Sequence, residues 1–236
     1  DCIQNEGGML DKFIGDAIMA IFGTPVAHDD DPDRGLRAAI QMMHGLNEFN
    51  EIRKSKGLPP VDHGMGLNTD EIVSGNIGSP KRMDYTVIGD GVNLAARIES
   101  SCKKYGAKIL MSEYTFKALK ATYRTRQVDC VIVKGKTEPV HVFEVLDFHS
   151  KETFPNMIEV LEMFNNGIEY YNEGNWDKAI TQFKKAQKGN PDDKCSNMYV
   201  ERCGILKKRD PKDWNGVWVA TRSEERRVGK ECRSRW

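Results

Sequence analysis

Apolar residues at the start of the chain follow two different spacings. Two short apolar runs lie on either side of Gly15-Asp16, a pattern typical of a β-hairpin with a tight turn. Further along, an apolar stripe at helical spacing follows Pro32, a residue that is well tolerated at the first position of a helix. Its members are Leu36, Ala39, Ile40, Met43 and Leu46. The pattern therefore predicts a hairpin and then a helix that ends near Gly57.

Short apolar runs and helical stripes continue to alternate up to residue 145. We expect short strands at residues 63–68, 71–74, 85–88 and 109–111, with a polar loop over 75–82. Helices are predicted over 91–105 and directly after Ser112, which is a good N-cap residue. Residues 131–133 and 140–145 are predicted to form a closing hairpin. This mixture predicts an α+β domain whose helices cover one face of a sheet.

After Phe148 the pattern becomes purely helical. One apolar face contains Phe164, Ile168 and Tyr171, and Asn190-Pro191 ends the helix that follows. The apolar face of that second helix consists of Trp176, Ala179, Ile180, Phe183 and Ala186. The pair resembles a single tetratricopeptide (TPR)-like unit with a capping helix. Because one such repeat is seldom stable alone, we expect it to pack on the first domain, on a second copy or on a protein partner.

The last fifteen residues, 222–236, break abruptly from this pattern. They show no periodicity, contain six Lys or Arg against three Glu, and closely resemble the translation of a common DNA-sequencing adapter. We therefore expect them to lie outside the fold. The predicted organisation is an α+β domain over 1–148, an all-α TPR-like segment over 149–221, and this unrelated tail.

Composition narrows the classes of partner. The chain of 236 residues carries 35 Lys and Arg against 35 Asp and Glu. It therefore has no excess of positive charge that would indicate nucleic acid or an anionic membrane as a partner. No apolar run approaches the ~18 residues of a membrane span. Six scattered cysteines without metal-ligand spacing favour reduced thiols, as in a cytoplasmic protein.

Three polar blocks carry the candidate chemistry. The first places Asp16 at a hairpin tip and Lys12 on the strand that leads into it. In the second, Asn93 and Arg97 lie four residues apart on a helix, where an amide and a guanidinium can orient a ribose and stabilise phosphoryl charge. The third places Lys134 on a hairpin strand, where a cation suits a triphosphate. Taken singly, each also fits a turn acid, a solvated helix face or an edge-strand lysine.

Taken in order, the blocks DKFIGDA (11–17), MDYTVIGDGVNLAAR (83–97) and VKGK (133–136) resemble the class III nucleotidyl cyclases, the adenylate and guanylate cyclase family. The resemblance covers residues 1–148 and implies a ferredoxin-like, palm-type sheet covered by helices. In that family the ribose 3′ oxygen attacks the α-phosphorus and expels pyrophosphate, assisted by two Mg²⁺ or Mn²⁺ ions. It also implies a head-to-tail homodimer with shared active sites.

The resemblance implies a role for each candidate residue. Asp16 matches one of the two metal-binding aspartates, and Lys134 matches the lysine that binds the triphosphate. Lys12 and Thr86 match the purine-reading positions, which hold Glu and Cys in guanylate cyclases, so the implied substrate is ATP and the product cyclic AMP. Asn93 matches the residue that orients the ribose, and Arg97 matches the residue that stabilises the transition state.

Several alternatives remain open at this point. The family's first strand, which carries the other metal aspartate, has no counterpart in this sequence, so we expect a longer parent protein and little activity from this chain alone. An upstream region could tether the parent to a membrane. The chain could also be a guanylate cyclase, or a non-catalytic interaction protein that uses its TPR-like segment. A diguanylate cyclase is disfavoured, because the hairpin lacks that family's Gly-Gly-Asp/Glu-Glu-Phe signature.

Overall fold

The computed structural model describes residues 1–79, 82–132 and 139–218. These residues form two compact units. The first contains the described part of residues 1–103 together with 107–126 and 142–149, and the second contains residues 104–106, the described part of 127–141, and residues 150–218. The second unit includes short pieces of the chain before residue 148, so the two units do not correspond to a single boundary in the sequence. The domain boundaries expected from the sequence remain a prediction.

The first unit begins with a short helix and the predicted hairpin. Helix α1 (Cys2–Asn5) precedes strands β1 (Met9–Ile14) and β2 (Ala17–Ile21), which pair antiparallel. Ile14 lies opposite Ala17, so Gly15 and Asp16 form a two-residue turn, and Gly15 has the positive φ of 64° that this turn requires. The hairpin prediction is confirmed.

The core of the first unit forms around a long helix, α2 (Asp31–Ser55), with proline in its first turn. Leu36, Ala39 and Met43 from the predicted stripe are buried in this core. They pack with residues from later in the chain: Ile109, Met111, Val145 and Phe148. The helix prediction is therefore confirmed, and burial of this face is the main source of the helix's stability.

The next strands correct the sequence-based expectation. After β3 (Met65–Leu67), strands β4 (Val73–Ser79) and β5 (Arg82–Ile88) pair from Val73 opposite Ile88 to Ser79 opposite Arg82. The predicted polar loop over 75–82 was therefore wrong. Backbone hydrogen bonds extend this ladder whatever the polarity of its side chains, so the apolar pattern does not mark where the strands end.

The remaining elements of the α+β part follow in the predicted order. They are α3 (Asp90–Tyr105), β6 (Ile109–Ser112), α4 (Glu113–Ala118), β7 (Thr125–Ile132) and β8 (Pro139–Val145). Ser112 caps α4 as predicted, since its Oγ accepts a hydrogen bond of 3.2 Å from the Thr115 amide. The four strands β3-β6-β8-β7 form one sheet, and the other described strands form the two-stranded sheets β1-β2 and β4-β5. The α+β class is confirmed.

The second unit contains helices α5 (Met157–Asn172), α6 (Trp176–Gly189) and α7 (Lys194–Arg209). The apolar faces predicted for the first two are largely buried, and Phe164 meets Phe183 with ring centroids 5.4 Å apart. Phe183 also stacks on Tyr199 of α7 at 4.8 Å. The relation to a TPR unit remains a prediction. Among the described residues, none of the helices has the length and apolar character needed to span a bilayer.

A buried ion pair joins α7 to β7 within the second unit. The guanidinium of Arg202 donates to both oxygens of Asp129 at 3.0 and 2.7 Å, and the Tyr105 hydroxyl donates at 2.6 Å. Burial alone would raise the pKa of Asp129, but hydrogen bonds and charge from Arg202 outweigh it and hold this pKa below its usual value. Both oxygens of Asp129 accept hydrogen bonds, which a buried carboxylate needs if its charge is to be tolerated.

Replacing Arg202 tests this arrangement. Arg202→Met should lower the free energy of unfolding at pH 7 by about 3–5 kcal/mol, because Asp129 would stay buried without its counter-charge. Urea unfolding followed by circular dichroism measures the loss. The stability that Asp129 gains from its lowered pKa is present above about pH 4 and disappears as the pH falls further, so the difference between the two proteins should shrink in acid. Asp129→Leu/Arg202→Met is the matched control and should recover most of the loss.

Candidate functional site

Two of the expected purine-reading residues meet around one carboxylate oxygen. Thr86 on β5 donates a hydrogen bond from its Oγ1 to Asp11 Oδ2 at 3.0 Å, although these residues are 75 positions apart in the sequence. The Lys12 ammonium lies 3.3 Å from the same oxygen. The fold therefore brings Lys12 and Thr86 together, and a third residue, Asp11, joins them.

A bulge in β1 explains how two successive residues share one location. Side chains of neighbouring strand residues normally point to opposite faces. The register of β1 shifts between Leu10 and Lys12, so Asp11 is the extra residue of a β-bulge. The side chain of Asp11 is 1% exposed and that of Lys12 is 44% exposed. Asp11 is a site residue that the sequence patterns did not predict, although an acidic residue inside a strand is a signal for it.

Asp16 lies at the exposed tip of the hairpin, where a carboxylate can reach a ligand. Divalent cations such as Mg²⁺ take about six oxygen ligands, and carboxylates are preferred among them. In the described part of the chain, no three His, Cys, Asp or Glu side chains come together to hold a metal ion. Asp16 is therefore suited to be one metal ligand, but the described residues do not complete a metal site.

Asn93 and Arg97 lie one turn apart on α3, which begins two residues after β5 ends. Both are exposed, whereas Leu94 and Ile98 on the same helix are buried. The helix thus presents its amide and its guanidinium away from the core, in the chain segment that directly follows Thr86. The remaining candidate, Lys134, lies outside the described residues.

A glycine on β3 sets how closely α3 approaches the sheet. A Cβ atom at Gly66 would lie 2.3 Å from the Glu99 nitrogen and 2.4 Å from the Ala95 carbonyl oxygen. Both are backbone atoms of α3, so neither can rotate away. Gly66 therefore allows the backbones of β3 and α3 to touch, and it fixes the position of the helix that carries Asn93 and Arg97.

Adding a methyl group at Gly66 tests this close approach. Gly66→Ala should lower the free energy of unfolding by roughly 2–4 kcal/mol, because the added methyl group must push α3 from β3. Thermal unfolding measures the effect. Gly75→Ala on β4 is the matched control, since a Cβ there meets nothing within 4 Å. Equal melting temperatures for the two variants would contradict the proposed role of Gly66.

Comparison with known proteins identifies relatives of this chain. The family model "Adenylate and Guanylate cyclase catalytic domain" matches residues 4–146. The chain is 36% identical over 204 residues to "Adenylate cyclase, terminal-differentiation specific" of Dictyostelium discoideum, which covers 85% of this chain and 10% of that protein. It is 41% identical over 150 residues to "Adenylate cyclase" of Anabaena cylindrica, covering 61% of this chain and 29% of that protein.

A solved structure agrees with these matches. The structure titled "Crystal structure of the guanylyl cyclase Cya2" is 38% identical, has a TM-score of 0.53, and is matched over 61% of this chain and 72% of its own. The chain spans less than a third of the length of the two curated relatives. The Dictyostelium match is longer than the stretch matched by the family model, so it reaches into the helical segment. Since the family model covers more than half of the sequence, this chain belongs to the adenylate and guanylate cyclase catalytic-domain family, class III.

Proposed function

We propose that this chain is the catalytic part of an adenylate cyclase, which converts ATP into 3′,5′-cyclic AMP and pyrophosphate. The observation that carries the proposal is the meeting of Lys12 and Thr86 at Asp11. An ammonium donates to the N1 acceptor of adenine, and a hydroxyl oxygen can accept from the 6-amino group. Guanine offers a donor at N1 and an acceptor at O6, so it does not match a lysine at the first position.

Family membership alone does not choose between the two bases. The two curated relatives are named adenylate cyclases, whereas the 38% identical structure is a guanylyl cyclase. The choice of ATP therefore depends on the side chains of Lys12 and Thr86 in this sequence. Their grouping around a buried carboxylate also favours a nucleotide-binding role over a purely non-catalytic scaffold.

The other candidate residues receive roles consistent with this reaction. Asn93 would orient the ribose, and Arg97 would stabilise charge on the transferring phosphoryl group. Lys134 would bind the triphosphate. The family uses divalent metal ions, and Asp16 would supply one ligand to Mg²⁺ or Mn²⁺, which neutralises charge on the phosphate oxygens.

We also propose that the active sites form in a homodimer. The two hairpins of the first unit, β1-β2 and β4-β5, expose large apolar side chains that a monomer would leave in water. They include Phe13, Ile14, Ile18, Val73, Met83 and Ile88, which are 47–71% exposed. Concentrated exposed apolar surface of this kind is characteristic of protein interfaces. A second copy of the chain would cover these hairpins and bring its own α3 residues to the site.

Cyclic AMP formation tests the proposed activity. We would incubate the chain with ATP and Mn²⁺ beside a chimera that adds the metal-binding strand of a related adenylate cyclase, because Asp16 would supply one of the two aspartates with which the family binds its metal ions. The chimera should form cyclic AMP from ATP and far less cyclic GMP from GTP, and the chain itself should form little of either. An Asp16→Asn chimera is the inactive control. Preferential cyclic GMP formation by the unsubstituted chimera would contradict the proposal.

Exchange of the two purine-reading residues tests the base preference. In the same chimera, Lys12→Glu/Thr86→Cys should shift the ratio of kcat/KM for ATP and GTP toward GTP by roughly 100-fold or more, because mismatched base contacts cost about 1–3 kcal/mol each. Each single substitution serves as a partial control. An unchanged ATP preference in the double variant would show that other residues select the base.

A further inference from the structure

We infer that Asp11 is a specificity-determining positioning residue, which orients the Thr86 hydroxyl so that this oxygen accepts hydrogen bonds from a purine 6-amino group. This inference deepens the proposed function and rests on it. It concerns a residue that the roles assigned above do not include.

A threonine hydroxyl has one hydrogen to donate and lone pairs that can accept, so on its own it can pair with a 6-amino group or with a 6-oxygen. Thr86 alone would therefore discriminate poorly between 6-amino and 6-oxo purines. In this structure, however, the Thr86 hydroxyl donates its hydrogen to Asp11, with 3.0 Å between Thr86 Oγ1 and Asp11 Oδ2.

The carboxylate of Asp11 fixes the direction of this hydrogen bond. An ionised carboxylate has no hydrogen to give, so Thr86 must be the donor in this contact. The Lys12 ammonium lies 3.3 Å from the same oxygen, so Asp11 Oδ2 accepts from Thr86 and also pairs with Lys12. With its hydrogen committed, the Thr86 oxygen has only lone pairs left. It then matches the 6-amino group of adenine and repels the 6-oxygen of guanine or hypoxanthine.

The placement of Asp11 lowers the stability of the fold. Asp11 Oδ1 is buried and has no hydrogen-bond partner among the described residues. A buried acceptor without a partner lowers stability, and such groups in folded proteins call for an explanation. Thr86 is also buried, with 8% of its surface exposed. A leucine and a valine could occupy these positions with less desolvation, so the pair fits a selective role better than a purely structural one.

The test compares two nucleotides that differ at the 6-position, ATP and inosine triphosphate (ITP). Calorimetric titration of the full chain with each nucleotide in Mg²⁺ buffer gives the ratio of their dissociation constants. The unsubstituted chain should bind ATP more tightly. Asp11→Leu should reduce the ATP preference by about tenfold, because the freed hydroxyl can donate to the 6-oxygen of ITP. Asp11→Glu keeps a carboxylate and should keep most of the preference.

A second pair of variants distinguishes an effect of Asp11 through Thr86 from an effect through Lys12. In a Thr86→Val chain, Asp11→Leu should change the ratio less than twofold, because the hydroxyl through which Asp11 acts is absent. The same tenfold change in both backgrounds would overturn the inference and assign the effect to Lys12. Asp11→Leu/Thr86→Val should melt no lower than the unsubstituted chain. If Asp11→Leu does not fold, Asp11→Ala gives the same comparison.

The possible failures are distinguishable. If the unsubstituted chain binds ATP and ITP equally, or binds neither, this inference is overturned, while cyclic AMP formation by the chimera decides the proposed function separately. If it prefers ATP and Asp11→Leu keeps that preference, the inference alone is overturned. If Asp11 had a purely structural role, Asp11→Leu would weaken the binding of both nucleotides by the same factor. That result would overturn the inference as well.

Discussion

The backbone contact between β3 and α3 at Gly66 is the constraint on which the arrangement of the site depends. Helix α3 carries Asn93 and Arg97, and it continues from β5, the strand that carries Thr86. At Gly66 the strand and the helix are so close that a single methyl group would overlap backbone atoms. Two rigid elements in backbone contact have little freedom to shift, which is the kind of support that a precise catalytic geometry requires.

Two buried aspartates show contrasting ways of holding a charge. Asp129 has hydrogen-bond donors at both oxygens, supplied chiefly by Arg202 and Tyr105. Asp11 has Thr86 and Lys12 at one oxygen, while its other oxygen is buried without a partner among the described residues. The fully paired carboxylate is typical of a structural ion pair. The partly paired one lies among residues proposed to read the base, where incomplete pairing is more often retained for function.

Much of the fold could be predicted from local patterns. Helices α2, α3, α5 and α6 have clear apolar stripes, and the β1-β2 turn contains a Gly-Asp pair that suits tight hairpins. The extent of the β4-β5 ladder was missed: shorter strands were expected at 71–74 and 85–88, because the glycines and polar residues of β4 resemble a loop although its backbone pairing is continuous. The bulge at Asp11 was missed for a related reason. A register shift arises between paired strands, and the acidic residue inside β1 does not by itself show where the shift falls.

The sequence by itself determined the family, the order of the elements and the residue types available for chemistry, because motifs and periodicity are properties of consecutive residues. Only the tertiary structure decided that Asp11 joins Lys12 to Thr86 and that Gly66 supports α3. These contacts connect residues far apart in the chain. Their existence depends on strand register and on the distance between packed backbones, which local side-chain patterns do not specify.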